Sequence, residues 1–479
     1  MIEHPTVDER AARGRAARLQ VAPSAHAGWV PAGDRPDPVA LLEEQDATRE
    51  PDLVPVRHGR MMVSPFTFYR GAAKIMATDL KDTPTAGLEV QLCGDAHLSN
   101  FGVFASPERT LLFDLNDFDE TLPGPFEYDV KRMAASFMIA GRNNGFGAAD
   151  ARDATRTSVT AYREAIADFA VMRTLDIWYA RLSEEDLMAS IRLAEAPSGK
   201  GAKRAKGAKV DKGLEKAAEK TARKAHTRDS MQALSKLAEK VDGRYRIVSQ
   251  PPVVVPMREL AKSIGRSVDQ LEEVIHEQFR AYRETLPDDR RQLLERFEIV
   301  DMARKVVGVG SVGTRAFIVL LQGRDAQDPL FLQVKEATRS VLEDHLPKSR
   351  YRNPGERVVQ GQRMMQAASD IYLGWTKGVQ ENRYLYLAAV ARHEGLRAGR
   401  LDERLHARST TPGCAAGPWP AHTPAQETRW PSPSTSAPAT TSTPRSPTSP
   451  KRYADQNEAD YQAFVDAVRS GRIPAVEGL

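Results

Sequence analysis

The feature that most constrains this chain is a pair of strand ends that each run straight into acidic residues. Leu88–Cys93 is a short apolar run that ends in Gly94-Asp95, with Asn100 five residues after the Asp. A second run, Thr110–Phe113, leads into Asp114-Leu115-Asn116-Asp117-Phe118-Asp119-Glu120. Short apolar runs bounded by turn residues read as buried strands. Asn and Asp also favour turns through local hydrogen bonds, so either half alone is compatible with an ordinary loop. Side by side, the two halves point to a site.

The rest of the chain supplies the scaffold. At 479 residues it is long enough for two or three ordinary domains and a large core. A formal net charge of +4 is small for this length and implies no nucleic-acid partner. Cys93 and Cys414 alone cannot build a disulfide framework or a cysteine-rich zinc site. The opening MIEHPTVDERAARGRAARLQ lacks the apolar core of a signal peptide. No apolar stretch approaches the ~20 residues that span a bilayer, so a cytoplasmic protein without a membrane partner is expected.

Residues 1–56 read as a polar lead with one short helix around Pro38–Gln45. Residues 57–300 read as a helical unit, with helices at Ser64–Leu80, Tyr128–Ala140, Ala149–Leu175, Leu182–Ala194, Ser267–Arg283 and Arg290–Phe297. Within it, Gly199–Lys224 is a Lys/Ala/Gly run that could grip a polyanion, or be a solvated loop or frayed helix start. Residues 301–387 turn β-rich, and Val306–Val307, Ala316–Gln322 and Leu330–Lys335 suggest a small antiparallel sheet. A helix over Arg357–Thr376 and a strand at Tyr384–Leu387 follow, and residues 452–479 carry a last helix, Glu458–Val468.

The β-rich part holds a second constellation. Val307–Arg315 contains G-x-G-x-x-G in Gly308, Gly310 and Gly313, with Ser311 between. A dinucleotide site would need a helix directly after these glycines. Here a strand follows, then a turn, then Leu330–Glu336 carrying Lys335 near its end. That order matches the hairpin that covers ATP in kinases, although a plain surface hairpin with a solvated Lys335 has the same outline. Phosphoryl transfer from ATP also needs a carboxylate for the attacking hydroxyl, and an Asn and an Asp to hold magnesium. Magnesium takes hard oxygen ligands and few protein groups, so the first constellation suffices for it.

At Gly94-Asp95, His97 and Asn100 the chain resembles aminoglycoside and choline phosphotransferases and, more distantly, protein kinases. The likeness continues through Asp117-Phe118-Asp119, Pro123-Gly124-Pro125 and Tyr128-Asp129-Val130. It implies that Asp95 is the catalytic base, Asn100 a metal ligand and Asp117 the main metal carboxylate, with Asp114 and Asp119 as rivals. Asp129 would brace the catalytic loop, with His97 as support. Cys93 replaces the His that often precedes Gly-Asp, and reads as a small core residue.

The chain is further similar to the uncharacterised bacterial "domain of unknown function" family 2252. The phrases SPFTFYRGAA, CGDAHLSNFG, FDLNDFDET, VVGVGSVGTR, LQVKEA and YADQNEADY carry that resemblance. The implied fold is α+β, a protein-kinase-like two-lobe fold in circularly permuted order: a helical lobe with the catalytic loop first, a small antiparallel β lobe second. Folds whose termini lie close together tolerate such permutation. The implied activity is an ATP- and magnesium-dependent phosphotransferase acting on a hydroxyl of an unidentified small molecule or protein. The alternatives are a non-catalytic nucleotide-binding scaffold and nucleotidyl transfer to a partner protein. Arg60 and Arg70 are either phosphate or substrate contacts or salt-bridged scaffold. The helix from Arg357 should pack beside Lys335, whose acidic partner is open because Glu356 stands early and Gln360 is uncharged.

The likeness breaks off over residues 388–451. Thr411–Pro450 is crowded with Pro, Ser and Thr and can bury little, so disorder is expected there. Shifted by one base with GC-rich codons, Thr411–Trp430 can instead encode an amphipathic helix, and a shift near Ala388–Leu396 can extend the preceding strand. A displaced reading frame accounts for the tract better than a natural linker does.

Overall fold

Ala316–Gln322 is almost unbroken in apolar residues, which is what a strand covered on both faces requires. It lies at the middle of the largest sheet in the computed structural model, which describes residues 4–195, 230–263, 267–379, 382–390 and 448–478. The run Gly199–Lys224 and residues 391–447 lie outside the described residues.

The fold is mixed α+β, with helices and antiparallel sheets. In the first half, β1 (Glu89–Leu92) pairs with β4 (Leu122–Pro125), and β2 (Phe101–Ala105) forms a hairpin with β3 (Leu111–Leu115). A second hairpin joins β5 (Ala238–Val241) to β6 (Arg244–Ile247). The six-stranded sheet uses β7 (Val254–Pro256), β8 (Glu298–Lys305), β9 (Ala316–Gln322), β10 (Pro329–Glu336), β11 (Gly374–Lys377) and β12 (Tyr384–Ala389). Its order is β11-β12-β10-β9-β8-β7, all antiparallel.

Alternation along β9 explains its composition, because successive side chains point to opposite faces. Val319 and Leu321 meet Phe279, Tyr282 and Leu286 on one side, while Ile318 and Leu320 meet Leu234, Ile247 and Val254 on the other. Each such fully buried side chain contributes about 1.5–3 kcal/mol. A separate cluster joins sheet to helices: Cys93, Phe101, Leu115, Phe118 and Met133 pack on Val358, Val359, Met365 and Tyr386.

The ends of the chain close on each other. The helix Thr448–Arg469 packs Phe464 against Phe68, Val39 and Leu42, beside Val309 of the glycine loop. Arg35, nearly buried, bridges Asp79 and Asp460 at 2.6 Å each. The stretch expected to be a polar lead therefore belongs to the body, since Val39, Leu42 and Leu53 are all core residues.

Several element boundaries differ from the sequence expectation. The helix expected over Ser64–Leu80 is two, Pro65–Gly71 and Ala73–Leu80. The carbonyl of Gly71 accepts from the buried guanidinium of Arg57 at 2.8 Å, and Ala72 leaves helical geometry. Ala149–Leu175 likewise splits into Ala148–Val171 and Thr174–Tyr179 at an extended Met172. Val306–Val307 is not a strand but the entry to the glycine loop, which follows β8. The helix expected over Arg357–Thr376 is Pro354–Met365, started by Asn353 capping Gly355 and Glu356 with Pro354 at its first position. Thr376 instead lies in β11. The sheet begins at Val254, well before residue 301, and the last helix starts at Thr448, inside the Pro/Ser/Thr tract.

Candidate active site

The loop after β1 is shaped by one glycine and one helix. Gly94 sits at φ +84°, and a Cβ there would fall 2.2 Å from the carbonyl oxygen of Glu120, so only glycine fits. Within the loop, the amide of His97 donates to the carbonyl of Asp95 at 2.7 Å, and that of Asn100 to the carbonyl of His97 at 2.8 Å. The Asn100 side chain also donates to the Asp95 carbonyl, at 2.7 Å.

Helix Glu127–Asn143 supports this loop from one stripe, Asp129, Arg132 and Ser136, spaced i, i+3, i+7. The Asp129 carboxylate accepts the amides of Cys93 and Gly94 at 2.8 and 3.0 Å. Ser136 accepts the amide of Leu98 at 3.0 Å, and Arg132 Nε donates to Asp95 Oδ1 at 2.6 Å. Burial pushes the Asp129 carboxyl up to about 7, against the pull of the two amides. Cys93 is wholly buried and its thiol is pushed well up by burial, so it is a core residue. His97 lies with Nε2 3.7 Å from Asp95 Oδ2. Burial, aided by Arg132 and Arg70 against the opposing pull of Asp95, takes its imidazole down to about 3, so it is neutral.

The turn after β3 divides its acids. Asp114 accepts the amides of Leu115 and Ala367 at 2.8 and 3.2 Å, is pushed up to about 7 by burial and does not line the cleft. Asp117 and Asp119 do line it. Burial first, then Asp119, holds Asp117 above the usual carboxylate range. Arg357 pins this turn, donating to the carbonyls of Asp119, Thr121 and Thr338.

Lys335 reaches the same place from β10. It pairs in register with Tyr386 of β12, and its Nζ is 5.7 Å from that ring's centroid. Burial opposes its charge, but Tyr386, Asp119 and Asp117 outweigh burial and raise its pKa well above the ordinary value. The Tyr386 hydroxyl donates to Asp119 Oδ1 at 2.5 Å. The carboxylates that favour the charge of Lys335 are thus Asp119 and Asp117, in the turn after β3. Neighbouring Glu336 is taken by Arg315 and Arg383.

The glycine loop is fastened from the helical side. Gly308 and Gly313 have φ of +77° and +89°, and a Cβ on Gly310 would meet the carbonyl of Arg70 at 3.1 Å. Arg60 donates to the carbonyl of Gly308 at 2.6 Å, Arg49 to that of Val312 at 2.5 Å, and the Glu50 amide to that of Gly313 at 2.7 Å. Arg60 thus braces the loop, and both Arg60 and Arg70 line the cleft.

These pieces line one cleft of about 1800 Å³. It brings together Asp95, His97, Asn100, Asp117, Asp119, Gly308, Gly310, Ser311, Lys335 and Arg70, and leaves Asp114, Asp129 and Gly313 outside its lining. Sequence reasoning missed Arg132, Tyr386 and Arg49. Arg132 was findable as Asp129 plus one helical turn, and Tyr386 as an aromatic on the strand beside Lys335. Nothing local marks Arg49.

Among the described residues no group of three or more His, Cys, Asp or Glu is arranged to hold a metal, and no helix is long and apolar enough to cross a membrane. No curated protein and no solved structure matches the chain. A family model does match, over residues 49–467, and the chain belongs to that family, described as an uncharacterized protein conserved in bacteria, DUF2252.

Proposed function

We propose that the chain is an ATP- and magnesium-dependent phosphotransferase with a circularly permuted, kinase-like arrangement of two lobes. One observation carries the reading. Lys335 and the glycine loop, far downstream in sequence, line the same cleft as Asp95, Asn100 and Asp117.

The residues fit magnesium chemically. The amide nitrogen of Asn100 is spent on Asp95, leaving its carbonyl oxygen as a ligand. Asp117 is crowded by Asp119 in a buried place, which a cation would relieve. Magnesium needs only one or two carboxylates when phosphates complete its shell, so the lack of a three-residue cluster is no obstacle. Asn100 and Asp117 would hold it, and bound there it would neutralise charge on the transferring phosphate.

In this reading Lys335, whose charge Asp119 and Asp117 favour, turns that charge to the phosphates of ATP. Asp95 has Oδ1 engaged by Arg132, which leaves Oδ2 to accept the hydrogen of the acceptor hydroxyl. The hydroxyl oxygen bonds to the γ-phosphorus, the bond from phosphorus to the bridging oxygen breaks, and ADP leaves. The proton passes to Asp95 and then to solvent. Positioning and charge neutralisation supply the rate, with no covalent intermediate.

The test uses the full chain with magnesium and doubly labelled ATP. Calorimetric binding of ATP, together with label transfer or phosphate release lost in Asp95→Asn while binding stays, supports the reading. Transfer of the adenylate label instead supports nucleotidyl transfer, and binding without turnover supports a scaffold. Absence of nucleotide binding overturns all three.

A further inference from the structure

We infer that Arg132 is a positioning residue for Asp95, an inference that rests on the reading of Asp95 as the group that receives the acceptor hydroxyl. Arg132 is buried, 3% exposed, and does not line the cleft, so it can act only through the residues it holds.

Its guanidinium is held at both ends. Nε donates to Asp95 Oδ1 at 2.6 Å, and Nη2 donates to the backbone carbonyl of Tyr69 at 2.8 Å. The same guanidinium lies 3.9 Å from the centroid of the Tyr69 ring, in cation–π contact. Tyr69 returns the bond, since its hydroxyl donates to the backbone carbonyl of Arg132 at 2.8 Å. Asp95 and Tyr69 help Arg132 keep its charge in spite of burial.

The consequence falls on Asp95. A carboxylate with one oxygen fixed by a rigid donor has its other oxygen fixed too, so Arg132 sets the direction in which Oδ2 meets the acceptor. Its planar fork makes this a directional restraint that an ammonium would reproduce only in part. Small misplacements of a reacting group cost roughly tenfold to a hundredfold in rate.

Arg132→Met and Arg132→Lys in the full chain test this, with melting temperature, ATP-magnesium affinity and phosphate transfer or release measured on each. The expected result is ATP affinity near that of the unaltered chain, a rate lowered roughly tenfold or more in Arg132→Met, and partial recovery in Arg132→Lys. A merely structural residue would lower affinity, rate and melting temperature together, with Lys no better than Met, and that pattern overturns the inference. An unchanged rate in either folded variant overturns it as well. If Arg132→Met does not fold, Arg132→Lys decides alone, through a lowered kcat at constant KM or through no change. An unaltered chain that neither binds nor cleaves ATP removes the phosphotransferase reading itself, and this inference with it. An active chain with fully active Arg132 variants removes only the inference.

Discussion

Replacing Asp129 with Ala deletes the two oxygens that satisfy the amides of Cys93 and Gly94, at 2.8 and 3.0 Å. Both amides lie at the buried end of β1, with Cys93 fully enclosed and Asp129 only 2% exposed. A buried donor left without a partner costs about 1–3 kcal/mol, so the two together cost about 2–6 kcal/mol. Against this stands the charge that the variant no longer buries. Burial has pushed the Asp129 carboxyl from its ordinary range up to about 7. A raised folded-state pKa means that the folded chain holds a proton the unfolded chain has released. The stability this provides is full below about pH 4 and is lost as the pH rises through 7. Between pH 5.5 and 7 that loss amounts to about 2 kcal/mol in the unaltered chain and is absent from Asp129→Ala. The deficit of the variant should therefore be about 2 kcal/mol larger at pH 5.5 than at pH 8. Urea unfolding of both chains at the two pH values, followed by circular dichroism, measures it. A deficit that grows with pH, or one below about 1 kcal/mol at pH 5.5, would refute this account of how the loop is held.

Gly94→Ala forces a Cβ to within 2.2 Å of the Glu120 carbonyl at a φ of +84°, whereas Gly87, at +70°, has nothing within 4 Å. The first substitution should cost several kcal/mol and Gly87→Ala about 1 kcal/mol; equal melting temperatures in the two variants would refute the contact. Lys335→Met removes the buried cation whose charge Asp117 and Asp119 favour, and the variant should melt at a lower temperature than the unaltered chain. Because the bare carboxylates are more easily tolerated when protonated, the variant should lose more stability between pH 5.5 and 8 than the unaltered chain, and parallel melting curves across that range would count against the pair.

What the sequence made legible follows from how local each signal is. β9 and β10 could be read almost to the residue because an apolar run with turns on both sides needs no knowledge of its neighbours. Asp95, Asn100, Asp117 and the glycines were visible because strand-end acids and left-handed turns leave marks within a few residues. The split of Ser64–Leu80 was not visible, because the group that breaks it is Arg57 reaching the carbonyl of Gly71. Nor was the strand at Gly374–Lys377, whose conformation depends on pairing with Tyr384–Leu387. Asp114 looked equivalent to Asp117 and Asp119 by spacing. Only the fold shows its oxygens committed to Leu115 and Ala367.

The least legible relations run longest, and they bear directly on the site. Tyr453, beyond the Pro/Ser/Thr tract, donates to Asp79 at 3.0 Å and places its ring 6.2 Å from that of Tyr69. Tyr69 holds Arg132, and Arg132 holds Asp95. Every link joins residues distant in sequence, so no window of sequence contains even one of them. Each is nevertheless buried, and a buried polar group deprived of its partner costs far more than an exposed one. The last helix is therefore part of the support of the loop that carries Asp95, even though the tract before it breaks the pattern of the rest of the chain. Packed side chains thus join Tyr453 to Asp95, at a distance where sequence would have filed it with the tail.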